Sequence, residues 1–314
     1  MLEAQAKVDA PKTENFATYW YEQLPRLKTQ LSPSTHALYE TVYENFIRTD
    51  ALGSFELARI QPQDVQTWVD QFQGKSARTV ARYLQCVKAI LEHAVRTRKV
   101  DHNPATPIRP PKIEEHAKEL LDRSQVDKLL ALPMSARMRT GLLLCLHGLR
   151  RAEACGLKYE DFDGDGITVR RQALEVNGEL IIREATKTGE RRWIPVDAEL
   201  RRLLESGQGW VLGTSTGTPL RPRNLAREWS TLSKGTAYEG MTLHDLRSTF
   251  GMLMLEKGVD VRTAAELMGH SPAMLARIYA RSRKDLKRDA LARVFGPEGG
   301  TNGGTEPVLE LISS

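Results

Sequence analysis

The sequence predicts a mainly helical protein in two parts, with a small β-sheet among the helices of the second. Three observations predict it. Residues up to about 103 carry only helix-period apolar patterns, four prolines fall between Asn103 and Lys112 (NPATPIRPPK), and short β-rich runs appear only after them. At 314 residues the chain exceeds one ordinary domain, which agrees with a division into two.

The first part reads as four amphipathic helices: Phe16 to about Gln30, Ser34 to about Thr49, a third opened by Pro62 and running to about Phe72, and a long fourth from Ser76 to about Val100. In the fourth, Tyr83, Val87, Ile90, Leu91, Ala94 and Val95 return at helical spacing and are expected to bury one stripe. Arg78, Arg82, Lys88, Arg96, Arg98 and Lys99 face outward against one acid, Glu92. Such a face suits either phosphate contact or plain solvation. The prolines cannot continue a helix, so an extended, stiff linker is expected there. Beyond it come helices at Ser124 to Leu132 and Ala136 to His147. Strands follow at Ile167 to Arg171, Leu180 to Glu184 and Arg191 to Val196, with Asn177-Gly178 as a hairpin turn. Helices return from Asp197 to Phe295, and the run PEGGTNGGTEP has the composition of a disordered tail. The expected division is a helical domain at 12–103, a linker at 104–117, a mixed α/β domain at 118–297 and a tail at 298–314.

Composition narrows the function classes. Hydrophobic residues at 40% and charged residues at 27% are ordinary for a soluble protein, and the longest apolar stretch, Gly141 to Leu146, is too short to span a bilayer. The first fifteen residues carry acids and lack an apolar run, which argues against a secretory signal and for the cytoplasm. Cys86, Cys145 and Cys155 are odd in number and show no CxxC spacing, so reduced, buried thiols are expected. A net charge of +5 favours an anionic partner. Asp161, Asp163, Asp165 and Gly166 match the start of a calcium-binding loop, but its closing position is Gln172, which cannot supply the bidentate carboxylate, and ITVRR reads as a strand. The segment is therefore read as an acidic turn, and no metal is expected.

The residues that carry chemistry lie in the second part. In TLHDLRSTF, His244 and Arg247 stand three apart, on one face of a helix, and so both are expected to reach one ligand. In LMGHSPAMLARIYAR, His270 closes one helix and Tyr279 follows nine residues later. HGLRRAE places Arg150 after an apolar helix with Glu153 three residues on, and TKTGERRWIP places Lys187 in the turn between two strands. Singly, each has a commonplace structural reading.

Together they resemble the tyrosine recombinases, the phage integrase and Xer family, over nearly the whole chain. That family carries an Arg in a GLR-x-x-E box, a Lys in a β-turn, an H-x-x-R helix, a GH dipeptide and a Tyr nine residues beyond. Here those are Arg150 with Glu153, Lys187, His244 with Arg247, His270 and Tyr279. The resemblance implies an N-terminal helical core-binding (SAM-like) domain and a mixed α/β catalytic domain. It implies a site-specific recombinase that cleaves double-stranded DNA through a 3′-phosphotyrosyl bond at Tyr279 and a Holliday junction, as a homotetramer on two DNA sites. An accessory DNA-bending or directionality factor would belong to such a system, and DNA would bring the protein to the nucleoid.

The chemistry accounts for the residue types. Attack on a phosphodiester builds negative charge on the non-bridging oxygens, which guanidinium forks at Arg150 and Arg247 would hold. The Tyr279 phenol needs help losing its proton, a role the resemblance gives to His244, with His270 also touching the phosphate. Lys187 would protonate the departing 5′-oxygen, and Glu153 would orient Arg150. The phosphotyrosyl bond keeps the energy of the diester, so no nucleotide is needed, and no GxxxxGK[ST] loop is present. The rival reading is a DNA-binding regulator on the same fold that does not cut; the six filled positions speak against it. Leu286, Ala290, Leu291, Val294 and Phe295 form an apolar stripe, which would dock on its own domain or on a neighbouring subunit. His147, Leu275 and Arg281 depart from the family pattern at positions that are not catalytic. With only some fifteen residues before the first helix, a compact integrase or a Xer-like resolvase is expected rather than one with an added arm-binding domain.

Overall fold

The computed structural model describes residues 14–113, 120–184 and 191–276. Lys187, Tyr279, the apolar stripe from Leu286 to Phe295 and the tail lie outside the described residues.

The first part is helical because most of its helix starts are capped. Asn15 accepts from the Thr18 backbone N–H and opens α1 (Phe16–Gln30), Ser32 opens α2 (Pro33–Phe46), and Asp50 opens a short α3 (Ala51–Ser54) that sequence reading missed. Pro62, whose absent N–H costs nothing at a first turn, begins α4 (Pro62–Asp70), and Ser76 caps α5 (Ala77–Arg96). On α5, Val80, Leu84, Val87, Ile90, Leu91 and Ala94 are buried, at helical spacing, while Tyr83 and Val95 are only partly so. They meet Phe16, Trp20, Val42, Ile47 and Trp68, each at most 2% exposed. Truncating one such aromatic costs about 3–5 kcal/mol. Gly53 is required where α3 abuts the chain leaving α2, since a Cβ there would stand 1.9 Å from the Ile47 carbonyl oxygen.

The proline segment departs from the extended linker expected. Thr106 N–H bonds the Asn103 carbonyl and Ile108 N–H the Ala105 carbonyl, so residues 104–107 turn, and Ala105 and Ile108 are buried in the helical core. Proline forbids helix but permits turns, and burial of two apolar side chains decides between turn and extension.

The second part is built around α7 (Ala136–Leu146), which is buried on nearly every side and so serves as a central axis. Around it pack α6 (Arg123–Leu130), α8 (Arg151–Cys155), α9 (Ala198–Leu204), α10 (Pro222–Ser233) and α11 (Leu243–Glu256), with α12 (Val261–Met268) on α11. Instead of one small sheet there are two antiparallel ribbons. β1 (Gly166–Val169) pairs with β4 (Arg192–Pro195), and β2 (Gln172–Val176) pairs with β3 (Glu179–Arg183) across the Asn177-Gly178 turn, both residues at positive φ. The expected strand to Arg171 stops at Val169 for a specific reason. Arg170 and Arg171 both turn to the buried Asp161 carboxylate, at 2.5 and 2.7 Å, which breaks the ladder and separates the ribbons. The same contacts occupy the first carboxylate of the calcium-like sequence, and Asp163 accepts from the Gly166 N–H and the Trp193 indole. The three cysteines are free and buried.

Candidate active site

Three segments converge on the C-terminal end of α12. That helix stops at Gly269, in the left-handed conformation (φ 57°, ψ 48°), and leaves its last carbonyls without helical partners. Three consecutive carbonyls are each taken by a different arginine. Arg192 Nε donates to Leu267 O at 3.0 Å, an Arg247 Nη donates to Met268 O, and Arg150 Nη2 donates to Gly269 O at 2.7 Å. The negative end of a helix is a favourable place for cations, so α12 gathers and spaces the three guanidiniums.

Glu153 supplies the counter-charge. It is fully buried at the third position of α8, where Oε2 accepts the Arg150 backbone N–H at 2.8 Å and Oε1 accepts Arg150 Nη1 at 2.7 Å. Arg192 adds a fork, Nη1 to Oε1 at 3.1 Å and Nη2 to Oε2 at 2.6 Å. Each carboxylate oxygen thus accepts two hydrogen bonds, which fills its capacity. Burial alone would raise the Glu153 pKa, but the Arg192 hydrogen bonds and the charges of Arg192 and Arg150 outweigh it and bring it to about 2.

Arg247 lies deeper than its spacing from His244 suggested. It is wholly buried, with its terminal nitrogens on the Gly148 and Met268 carbonyls and one nitrogen 3.6 Å from Glu153. Burial, then the neighbouring charge of Arg150, lowers its pKa to about 9, still cationic at neutral pH. His244, on the exposed first turn of α11, lines a cleft of about 890 Å³ together with Arg150, Arg151, Thr242 and, from α2, Ser34. The two residues therefore share a helix side but differ in depth.

His270 follows Gly269 directly. Burial, then the charges of Arg247 and Arg150, lowers its pKa to about 3, so its imidazole is neutral at pH 7. Its Nδ1 and the Arg247 Nε are both buried without a hydrogen-bond partner among the described residues. Arg150, Arg247, His270 and Glu153 are thus brought together, and His244 stands close enough to His270 to contribute to its lowered pKa. Among the described residues no group of three or more His, Cys, Asp or Glu is placed to hold a metal ion.

Sequence reading missed Arg192. The clue was available: Ile194 is fully buried, and strand alternation puts the residue two before it on the same inward face, so one of the paired arginines in ERRWIP had to point into the protein.

Known proteins resemble this chain over most of its length. Residues 116–285, which hold every member of the cluster, match the model of the phage integrase family. The chain belongs to the phage integrase family. The tyrosine recombinase XerC of Pseudomonas fluorescens is 27% identical over 266 residues, covering 81% of this chain and 87% of the relative. The Tn1549 transposon integrase in complex with a circular intermediate DNA superposes with a TM-score of 0.73 at 20% identity, over 89% of this chain and 99% of that one. A lambda integrase tetramer bound to a Holliday junction gives 0.67 at 19% identity, over 88% and 81%.

In this tyrosine recombinase the basic face expected on α5 is present with one exception. Arg78, Arg82, Arg96, Arg98 and Lys99 are exposed, although Lys99 is paired with Glu14 at 3.0 Å and the last two lie beyond the helix end. Lys88 is committed elsewhere: its ammonium donates to the Ile108 carbonyl at 2.7 Å and the Thr106 carbonyl at 3.3 Å, clipping the proline turn to α5.

Proposed function

We propose that this tyrosine recombinase cuts and rejoins double-stranded DNA at specific sites through a 3′-phosphotyrosyl bond to Tyr279, working as four copies through a Holliday junction. The observation that carries the reading is the buried cluster of three guanidiniums around the single Glu153 carboxylate, opening on a cleft beside His244. One carboxylate cannot neutralise three cations, so the cluster keeps a positive excess that suits an anion.

The Tyr279 oxygen attacks the scissile phosphorus, the bond to the 5′-oxygen breaks, and charge builds on the non-bridging oxygens. Arg150, held in place by Glu153 and Gly269, answers that charge with little reorganisation, and Arg247 adds its cation from below. His270, neutral at pH 7, can give or take a single hydrogen bond at the phosphate. His244 takes the phenol proton, and Lys187 gives one to the departing 5′-oxygen. Rejoining reverses these steps with another strand's 5′-hydroxyl. The names of the XerC relative and the junction-bound lambda integrase tetramer support the assembly. A core-binding domain at 12–103, joined by 104–117 to a catalytic domain at 118–297 and a tail at 298–314, would hold the duplex between its two bodies.

The test is a denaturation-resistant adduct with nicked DNA carrying the recognised site. Wild type is expected to form it and Tyr279→Phe to form none. No adduct from wild type on its own site, or an adduct from Tyr279→Phe, refutes the proposal.

A further inference from the structure

We propose that Arg192 is a positioning residue of this site: its guanidinium locks the Glu153 carboxylate to the end of α12 and so fixes where Arg150 and Arg247 present their charge. This inference rests on the recombinase reading. Arg192 joins β4 to three other segments. Its fork meets both oxygens of Glu153 on α8, its Nε meets Leu267 O at the end of α12, and its Nη2 reaches Gly148 O, at 3.4 Å, in the turn after α7. Arg247 also binds the Gly148 carbonyl and the adjacent Met268 carbonyl. Arg150 depends on the same carboxylate and on Gly269 O. Every anchor of the two phosphate-directed arginines is therefore an anchor of Arg192 or lies within two residues of one.

Arg192 itself does not line the cleft beside His244. Its side chain is 8% exposed and packs against Gly269, where a Cβ would stand 3.2 Å from Nη1. It also opens β4, five residues after Lys187 in sequence, so the clasp ties the start of that strand to the arginine cluster. A lysine keeps the charge but is a point donor and cannot meet two carboxylate oxygens and a carbonyl at once.

The test compares Arg192→Lys and Arg192→Gln with wild type in adduct formation at saturating nicked DNA, in DNA affinity, and in thermal melting from pH 7 to pH 2. Misplacing Arg150 is expected to slow adduct formation by roughly tenfold to a hundredfold while the DNA Kd stays within about twofold. Glu153 faces Arg150 on its own helix, Arg192 from β4, Arg247 from α11 and Cys145 from α7. Without the fork it should titrate higher. The melting difference between wild type and Arg192→Lys should then be largest above pH 4.5 and should close towards pH 2. Arg192→Lys cleaving at the wild-type rate overturns the inference, as does a slowed rate matched by an equal loss of DNA affinity. If wild type forms no adduct, the recombinase reading falls, and the clasp is decided by melting alone: a pH-independent difference overturns it, and a closing one upholds it.

Discussion

Arg150 donates to the carbonyl of Gly269 at 2.7 Å across 119 positions of chain. The bond joins the start of α8 to the end of α12, and it sets Arg150 beside His270, the next residue after its acceptor. The position of the guanidinium is therefore governed by how α12 ends, and α12 ends as it does because Gly269 adopts a left-handed conformation.

Gly269→Ala follows from this. A residue with a Cβ in the left-handed region costs about 1–2 kcal/mol. The new methyl would also press on the Arg192 side chain, at 3.2 Å from Nη1 and 3.3 Å from Cδ. Chemical denaturation should show a loss of that order, and adduct formation should slow because both arginines lose their register on the carbonyls. Unchanged stability would mean that α12 can end in another conformation.

Glu153→Gln removes the carboxylate that pairs with all three arginines among the described residues and leaves Arg247 buried with reduced compensation. Removing one partner of a buried ion pair costs on the order of 3–5 kcal/mol. Urea melts should show a loss in that range, far beyond that of an exposed pair such as Arg48 with Glu44.

The pH dependence has a definite sign. The Glu153 pKa is lowered from 4.5 to about 2 in the fold, so its contribution is complete above pH 4.5 and is lost as pH falls through 2. At about 1.4 kcal/mol per unit the shift corresponds to roughly 3 kcal/mol. Acid titration of the wild type should lose about that much more stability between pH 5 and 2 than the same titration of Glu153→Gln. Parallel acid limbs would place the sensitivity in other carboxylates.

Most of this site was legible because its residue types sit at fixed local spacings. Glu153 three positions after Arg150 and His270 directly after a helix-ending Gly are relationships within one turn, and sequence displays them. Arg192 was not legible in that way, since its partners lie 39 and 75 positions away and nothing local marks it beyond strand alternation. The helices were readable for the same reason, through local apolar periodicity, and their starts are capped by Asn15, Ser32, Ser76 and Ser135. The splitting of the sheet turns on the non-local attraction of Arg170 and Arg171 to Asp161. The turn at 104–107 turns on core burial of Ala105 and Ile108, which proline content does not specify.

The basic face of α5 should divide under mutation. Arg82 is exposed, so Arg82→Ala is expected to lower DNA affinity and reduce the slope of log Kd against log salt by about one. Lys88→Met should leave that slope alone and instead cost about 1 kcal/mol, because its ammonium serves the Thr106 and Ile108 carbonyls. Salt titrations of both variants read the difference directly. A unit change in slope for Lys88→Met would assign that lysine to phosphate.

Asp161 offers a last prediction, on metal. Its carboxylate, the first of the calcium-like run, accepts from Arg170 at 2.5 Å and from Arg171 at 2.7 and 3.1 Å, while Asp165 pairs with Arg201 at 2.9 Å. A cation there would have to displace Arg170 and the buried Arg171 from their counter-charge. Neither excess chelator nor millimolar calcium should therefore shift the melting temperature. Asp161→Asn should lower it sharply, since Arg171, 5% exposed, loses its buried partner at a cost of about 3–5 kcal/mol. A calcium-dependent rise in melting temperature that Asp161→Asn abolishes would show instead that the arginines yield to the ion.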